Sequence, residues 1–93
     1  MSAAQAVAIE SRPTLAACAS LLQAAGLPTA DLTEEMLGDF FFIGPSQAPE
    51  AVVGLELHGE HALLRSLAVA PAARGRGLAR KLVAHAEQQA VAR

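Results

Sequence analysis

The sequence predicts an α/β (α+β) fold, a mixed but mostly antiparallel sheet packed by helices, in the order β-α-(α)-β-β-β-α. Three observations carry this reading. Phe40-Phe41-Phe42-Ile43, bounded by Gly44-Pro45, is a short continuous apolar run of strand-forming residues. Two further strand-like stretches, Ala51–His58 and the one from Ala62 to Val69, are separated by Gly59-Glu60, which suits a tight hairpin turn. Leu78, Leu82, Ala86 and Ala90 then recur at helical spacing almost to the end of the chain.

Taken in order, the apolar stretch from Ala6 to Ser11 predicts a first strand. Pro13 suits the first turn of a helix, where its missing N–H is not needed. Leu15, Cys18, Leu22 and Ala25 fall on one helical face, and Gly26-Leu27-Pro28 stops the helix. Cys18 on that face reads as a small core residue, because no neighbouring base is close in sequence to lower its pKa. The polar, acidic stretch from Thr29 to Asp39 leaves room for a short helix from Thr33 to Leu37. In the strand after it, Val53, Leu55 and Leu57 alternate against Val52, Gly54, Glu56 and His58. The strand after the hairpin breaks phase. Ala62 and Leu64 are apolar at even positions, Leu67 and Val69 at odd ones. One extra residue near Arg65-Ser66, a β-bulge, reconciles them; the alternative keeps one odd-numbered face throughout and turns Arg65 inward or into a cleft.

Composition narrows the function classes. The hydrophobic fraction of 53% includes 22 alanines, and the remaining 27 apolar residues still exclude a disordered chain. Ninety-three residues suffice for one small domain. A single cysteine excludes a disulfide framework and a multi-cysteine zinc site, and suits a reducing, cytoplasmic compartment. No apolar run approaches the roughly 20 residues of a membrane span, and Met1 to Glu10 lacks the basic start of a signal peptide. The net charge of -2 divides into -7 over residues 1–64 and +5 over residues 65–93. Arg74, Arg76, Arg80 and Lys81 concentrate positive charge that favours an anionic ligand. A nucleic acid is a poor candidate, since the chain is acidic overall and has no Tyr or Trp to stack bases.

The chemistry-bearing segment runs from Leu67 to Ala79. A hydrophobic strand ends, Pro71 closes it, a glycine-rich turn follows and a helix starts at once. Unpaired N–H groups and the positive helix end then converge, as a phosphate requires. Gly75 and Gly77 let the backbone approach an anion, and flanking arginines add charge-assisted bonds. An ordinary strand-to-helix turn would use the same glycines for geometry alone. Leu78 and Ala79 after Gly77 exclude Walker A, and Arg80 where a third glycine belongs excludes the dinucleotide fingerprint.

Arg74-Gly75-Arg76-Gly77-Leu78-Ala79, with Val69-Ala70-Pro71 ahead of it, resembles the Arg/Gln-x-x-Gly-x-Gly/Ala signature of the GNAT acyltransferases. Gly26-Leu27-Pro28, Val53-Gly54-Leu55-Glu56 and the stretch from Ala62 to Val69 look more narrowly like the GNAT-type N-acetyltransferases found with arsenic-resistance genes. The resemblance implies acetyl-CoA as co-substrate and transfer of its acetyl group to the amine of a small molecule. It implies that the backbone of Leu67, Ala68 and Val69 pairs with the pantetheine amides. It also implies that Arg74, Gly75, Arg76, Gly77, Leu78 and Ala79 hold the CoA pyrophosphate, and that the bulge splays the strands where the cofactor enters.

By the same resemblance the chain is a single partial domain, 1–93, the N-terminal and cofactor-binding portion, since a complete member continues with further strands and a helix. Those parts often supply a tyrosine that protonates the leaving thiolate, and this sequence has no tyrosine. An open strand edge would invite homodimers, and the alternative function is an inactive GNAT fold serving as a dimerisation or interaction module. Catalytic candidates are Glu56, able to deprotonate an ammonium directly or through water, and Arg65, able to hold an acidic substrate or pair a charge. Both residue types also serve as ordinary surface groups. Ser66 has no base near it in sequence. His58 and His61 flank the hairpin turn without a zinc-ligand pattern, and no metal is expected. His85 reads as solvent-facing.

Overall fold

The computed structural model describes residues 7–92. Four strands form one sheet in sequential order, each antiparallel to its neighbour: β1 (Ile9–Ser11), β2 (Phe40–Ile43), β3 (Ala51–His58) and β4 (His61–Val69). Two helices flank it, α1 (Leu15–Ala24) between β1 and β2, and α2 (Leu78–Val91) after β4. The expected element order is borne out. Of the first expected strand, Ala6 lies outside the described residues and the strand itself is Ile9–Ser11.

Local chemistry sets the boundaries of α1. Thr14, not the proline turn, is the N-cap, and its hydroxyl accepts from the Ala17 N–H at 3.2 Å. Pro13 therefore sits just outside the helix and is buried. The buried face gains Ala17 and Leu21 beside Cys18 and Leu22, while Ala25 forms the C-cap and is exposed. The helix expected from Thr33 to Leu37 is instead a 3-10 turn at Met36–Asp39. It hands the chain directly to β2 and buries Leu37 completely.

The sheet buries both faces. Phe41, Ile43, Val53 and Leu55 pack against Leu78, Leu82 and Ala86 of α2. Phe40, Phe42, Val52 and Ala68 pack against Cys18, Leu21 and Leu22 of α1 and against Leu37. Alternation places neighbours on opposite faces, so every residue of β2 is buried by one helix or the other. The stripe on α2 lies where the spacing puts it. His85, expected to face solvent, is half-buried, its ring edge-on to Phe41 with centroids 4.9 Å apart. Cys18 is fully buried, and burial pushes its thiol up to about 11, as suits an inert core residue. No described helix is long and apolar enough to cross a membrane.

The Gly59-Glu60 turn forms as expected, with His58 opposite His61. The leucines of β4 are not buried: Leu63 is 56% exposed, and Leu64 and Leu67 are also exposed, because β4 is an outer strand of the sheet. Leu57, near the end of β3, is exposed as well.

Candidate functional site

The phase break in β4 is a bulge. Val52 pairs with Ala68 but Gly54 pairs with Arg65, so two steps on β3 face three on β4. Ser66 takes a left-handed conformation, φ 57°, to accommodate the extra residue. The bulge separates two clefts of similar size.

The first cleft, about 380 Å³, is lined by Leu67, Ala68 and Val69 on the strand and by Ala73, Arg74, Gly75, Gly77, Leu78 and Ala79 on the turn and helix. Pro71–Ala73 forms a 3-10 turn that swings the chain out of the sheet. Gly75 (φ 81°) and Gly77 (φ 76°) then reverse it into α2 through conformations that a Cβ strains. At both glycines the place of a Cβ is open space, so the backbone is bare on that side.

Gly77 is the N-cap, no side chain caps the helix, and its first turn holds no acid. The first helical bond runs from the Lys81 N–H to the Gly77 carbonyl at 3.1 Å, which leaves the amides of Leu78, Ala79 and Arg80 without a partner inside the helix. Among the described residues no backbone carbonyl accepts from Gly75, Arg76 or Gly77. The result is a mostly apolar trough ending in bare amides and the positive end of a helix.

The residues expected to hold the cofactor gather here with one exception. Arg76 turns away and pairs with Glu50, at 3.0 and 3.4 Å. Arg74 folds back so that its Nε donates to the Val69 carbonyl at 3.3 Å, tying the turn to the strand end. Ala73 also lines the cleft; an alanine carries no chemical signature by which sequence could single it out.

The second cleft, also about 380 Å³, is lined by Leu27, Pro28, Asp31, Glu56, Arg65 and Ser66. Arg65 organises it. Its guanidinium donates to Glu56 Oε2 at 2.6 Å, to Asp31 at 3.3 Å and to the Ser66 hydroxyl at 3.1 Å. The two catalytic candidates, Glu56 and Arg65, are thus brought together as an ion pair. Asp31, 34 positions from Arg65, is visible in sequence only as part of an acidic stretch. The Arg65 hydrogen bond, then that of His58 at 3.3 Å, holds the Glu56 carboxyl below its ordinary range, and the same pairing pushes Arg65 up. Among the described residues no three His, Cys, Asp or Glu side chains gather as a metal site.

A pH dependence follows. A carboxylate whose pKa is depressed on folding stabilises the fold above its unfolded value, about 4.3, and that contribution is lost as pH falls through the folded value. Glu56→Gln is expected to be less stable than the parent in urea at pH 7, with the gap closing below pH ~4. A gap independent of pH would show that the pair contributes through packing alone.

The family model for the acetyltransferase (GNAT) family matches residues 7–93. A search of curated proteins finds no relative. Among solved structures the chain is similar to N-acetylglutamate synthase from Neisseria gonorrhoeae complexed with coenzyme A and N-acetyl-glutamate, with TM-score 0.79 and 20% identity. The match covers 94% of this chain and 23% of that one. The same enzyme complexed with coenzyme A and L-arginine aligns with TM-score 0.77 and 19% identity, over 92% and 22% of the two chains. Rv2747 from Mycobacterium tuberculosis, in complex with CoA and NLQ, aligns with TM-score 0.71 and 16% identity, over 89% of this chain and 57% of that one. The chain therefore spans under a quarter of the synthase, and at these identities the likeness is one of fold. With the family match running from Val7 through the glycine turn and α2, this chain belongs to the acetyltransferase (GNAT) family.

Proposed function

We propose that the chain binds acetyl-CoA in the cleft between β4 and the start of α2 and serves acetyl transfer to the amine of a small molecule. One observation carries this reading: the edge of β4 and the bare amides of the glycine turn face one trough. The N-terminal amides and dipole of α2, with Gly75 and Gly77 clear of side chains, suit a diphosphate. The apolar wall and unpaired strand edge at Leu67, Ala68 and Val69 suit an extended chain with amides of its own. The solved neighbours complexed with CoA support the assignment. Bound there, acetyl-CoA supplies an activated thioester whose acetyl group passes to an acceptor amine as CoA departs.

The second cleft lies across the bulge and is proposed to take the acceptor. General-base work by Glu56 would need a carboxylate of raised basicity, whereas Arg65 lowers it. Glu56 and Arg65 therefore act as a charged pair that orients the acceptor, with Asp31 as its third member. The closer kinship with acetyltransferases of arsenic-resistance loci rests on Gly26-Leu27-Pro28, Val53-Gly54-Leu55-Glu56 and the β4 sequence. A cytoplasmic setting fits the single free Cys18.

Titration calorimetry with CoA tests the proposal. Heat of binding and a thermal shift are expected; neither at millimolar CoA would overturn it. The exposed leucines of β4 favour a second reading, a module that recruits another chain along its open edge. That reading requires concentration-dependent dimers whose stability ignores CoA, and sedimentation with and without CoA separates the two.

A further inference from the structure

The geometry points to Glu50 as a positioning residue for the glycine turn, acting through Arg76; this deepens the CoA reading and rests on it. Glu50 is fixed from three sides. Its N–H donates to the Ile43 carbonyl at 2.7 Å, and its own carbonyl accepts from the Ala70 N–H at 2.8 Å, so its backbone ties the end of β2 to the residue after β4. Its side chain lies against Gly44, where even a Cβ would come within 2.9 Å of Glu50 Cγ. The carboxylate so anchored takes two hydrogen bonds from Arg76, at 3.0 and 3.4 Å.

Arg76 stands between the two left-handed glycines, the most pliable points of the turn. Its guanidinium is committed to Glu50 and does not line the cleft, so its charge is spent on the scaffold. Together with the Arg74 bond to Val69, the Glu50 bond is what ties the side chains of the turn to the sheet. A tethered turn presents its amides in one arrangement before the anion arrives, which lowers the ordering cost of binding.

The test uses the full 15N-labelled chain and the variants Glu50→Gln, Arg76→Gln and their combination. Glu50→Gln keeps the shape of the side chain and its packing on Gly44; Arg76 is exposed, so its variant does not disturb the core. Without ligand, the heteronuclear NOE of Gly75 and Gly77 is expected to fall in each variant. CoA is expected to bind about two- to five-fold more weakly in each, the scale of a single exposed ion pair. The double variant is expected to show no further loss, because one contact is removed twice. Binding of pantetheine, which lacks the diphosphate, should not change. Tighter CoA binding by Glu50→Gln would overturn the assignment, since Arg76 would then be a phosphate ligand restrained by Glu50. Unmoved glycine NOEs, or losses that multiply in the double variant, would overturn it too. A parent chain that ignores CoA would sink the acyl-donor reading instead, and the glycine dynamics alone would then decide the role of Glu50.

Discussion

Gly77→Val is expected to weaken CoA binding by at least tenfold, whereas Glu60→Ala at the far end of β4 should leave it unchanged. Two effects act at Gly77. The first is conformational: φ 76° costs an L-residue about 1–2 kcal/mol, and a β-branched side chain is the least tolerant of it. The turn can relieve that strain only by rotating the N-cap, which redirects the amides of Leu78 and Ala79. The second is steric. The place of a Cβ at Gly77 is open, so the Cβ of valine meets no protein atom and its side chain extends into space that the proposed ligand needs.

Each hydrogen bond to a charged group contributes about 1.5–3 kcal/mol, so misaligning a single amide already accounts for tenfold and losing two for well over a hundredfold. Binding is thus expected to fall much further than stability does. Gly77→Ala, with less bulk and the same sign of φ, should lie between the two. Glu60 is exposed in the hairpin turn and touches neither cleft, so its variant controls for nonspecific loss of charge. If the Gly77 and Glu60 variants bind CoA alike by calorimetry, the glycine turn is not where the ligand sits.

Such a prediction can be framed from sequence because the glycine turn is a local feature. Gly75, Gly77 and the stripe Leu78, Leu82 and Ala86 encode their conformation and burial within a few residues, and the structure keeps them there. The bulge is legible for a similar reason, since one slip in parity between Leu64 and Leu67 needs one extra residue. What sequence could not supply are pairings across the fold. Arg65 meets Asp31 and Arg76 meets Glu50 only because the sheet folds distant segments together. Nor does the parity of apolar residues on β4 make them buried. Parity assigns a face, but burial depends on a neighbour; at the outer strand Leu63 and Leu67 face solvent. His85 departs the other way, because a polar ring on an amphipathic helix can still lay its edge on Phe41.

Gly54→Ala is expected to cost about 2 kcal/mol of stability, a heavy penalty for one methyl group on a small domain. Gly54 lies in the interior of β3, paired with Phe40 on one side and Arg65 on the other. Its backbone has an ordinary negative-φ conformation, so alanine there would gain about 0.4–1 kcal/mol from a less flexible unfolded chain. Packing opposes this. A Cβ at Gly54 would stand 2.4, 2.5 and 2.8 Å from three atoms of the Phe40 ring. That ring is fully buried and packs with Cys18, Leu22, Leu37 and Val52, so moving it disturbs close-packed neighbours. Overpacking of this kind costs about 1–3 kcal/mol and on occasion more, so the steric loss outweighs the entropic gain. For a domain of this size the melting temperature should fall by roughly 8–16 °C.

The cause can be isolated with Phe40→Leu, which loses stability in the parent by opening a cavity. Combined with Gly54→Ala it should be far less harmful, because the cavity accepts the added methyl group. Independent penalties in the double variant would mean that the ring is not what Gly54 makes room for. Because Arg65 is the other register partner of Gly54, a displaced β3 should also disturb the pairing of Arg65 with Glu56. Weaker acid dependence of stability in Gly54→Ala would register that disturbance, tying the packing of Phe40 over Gly54 to the charged cleft beside it.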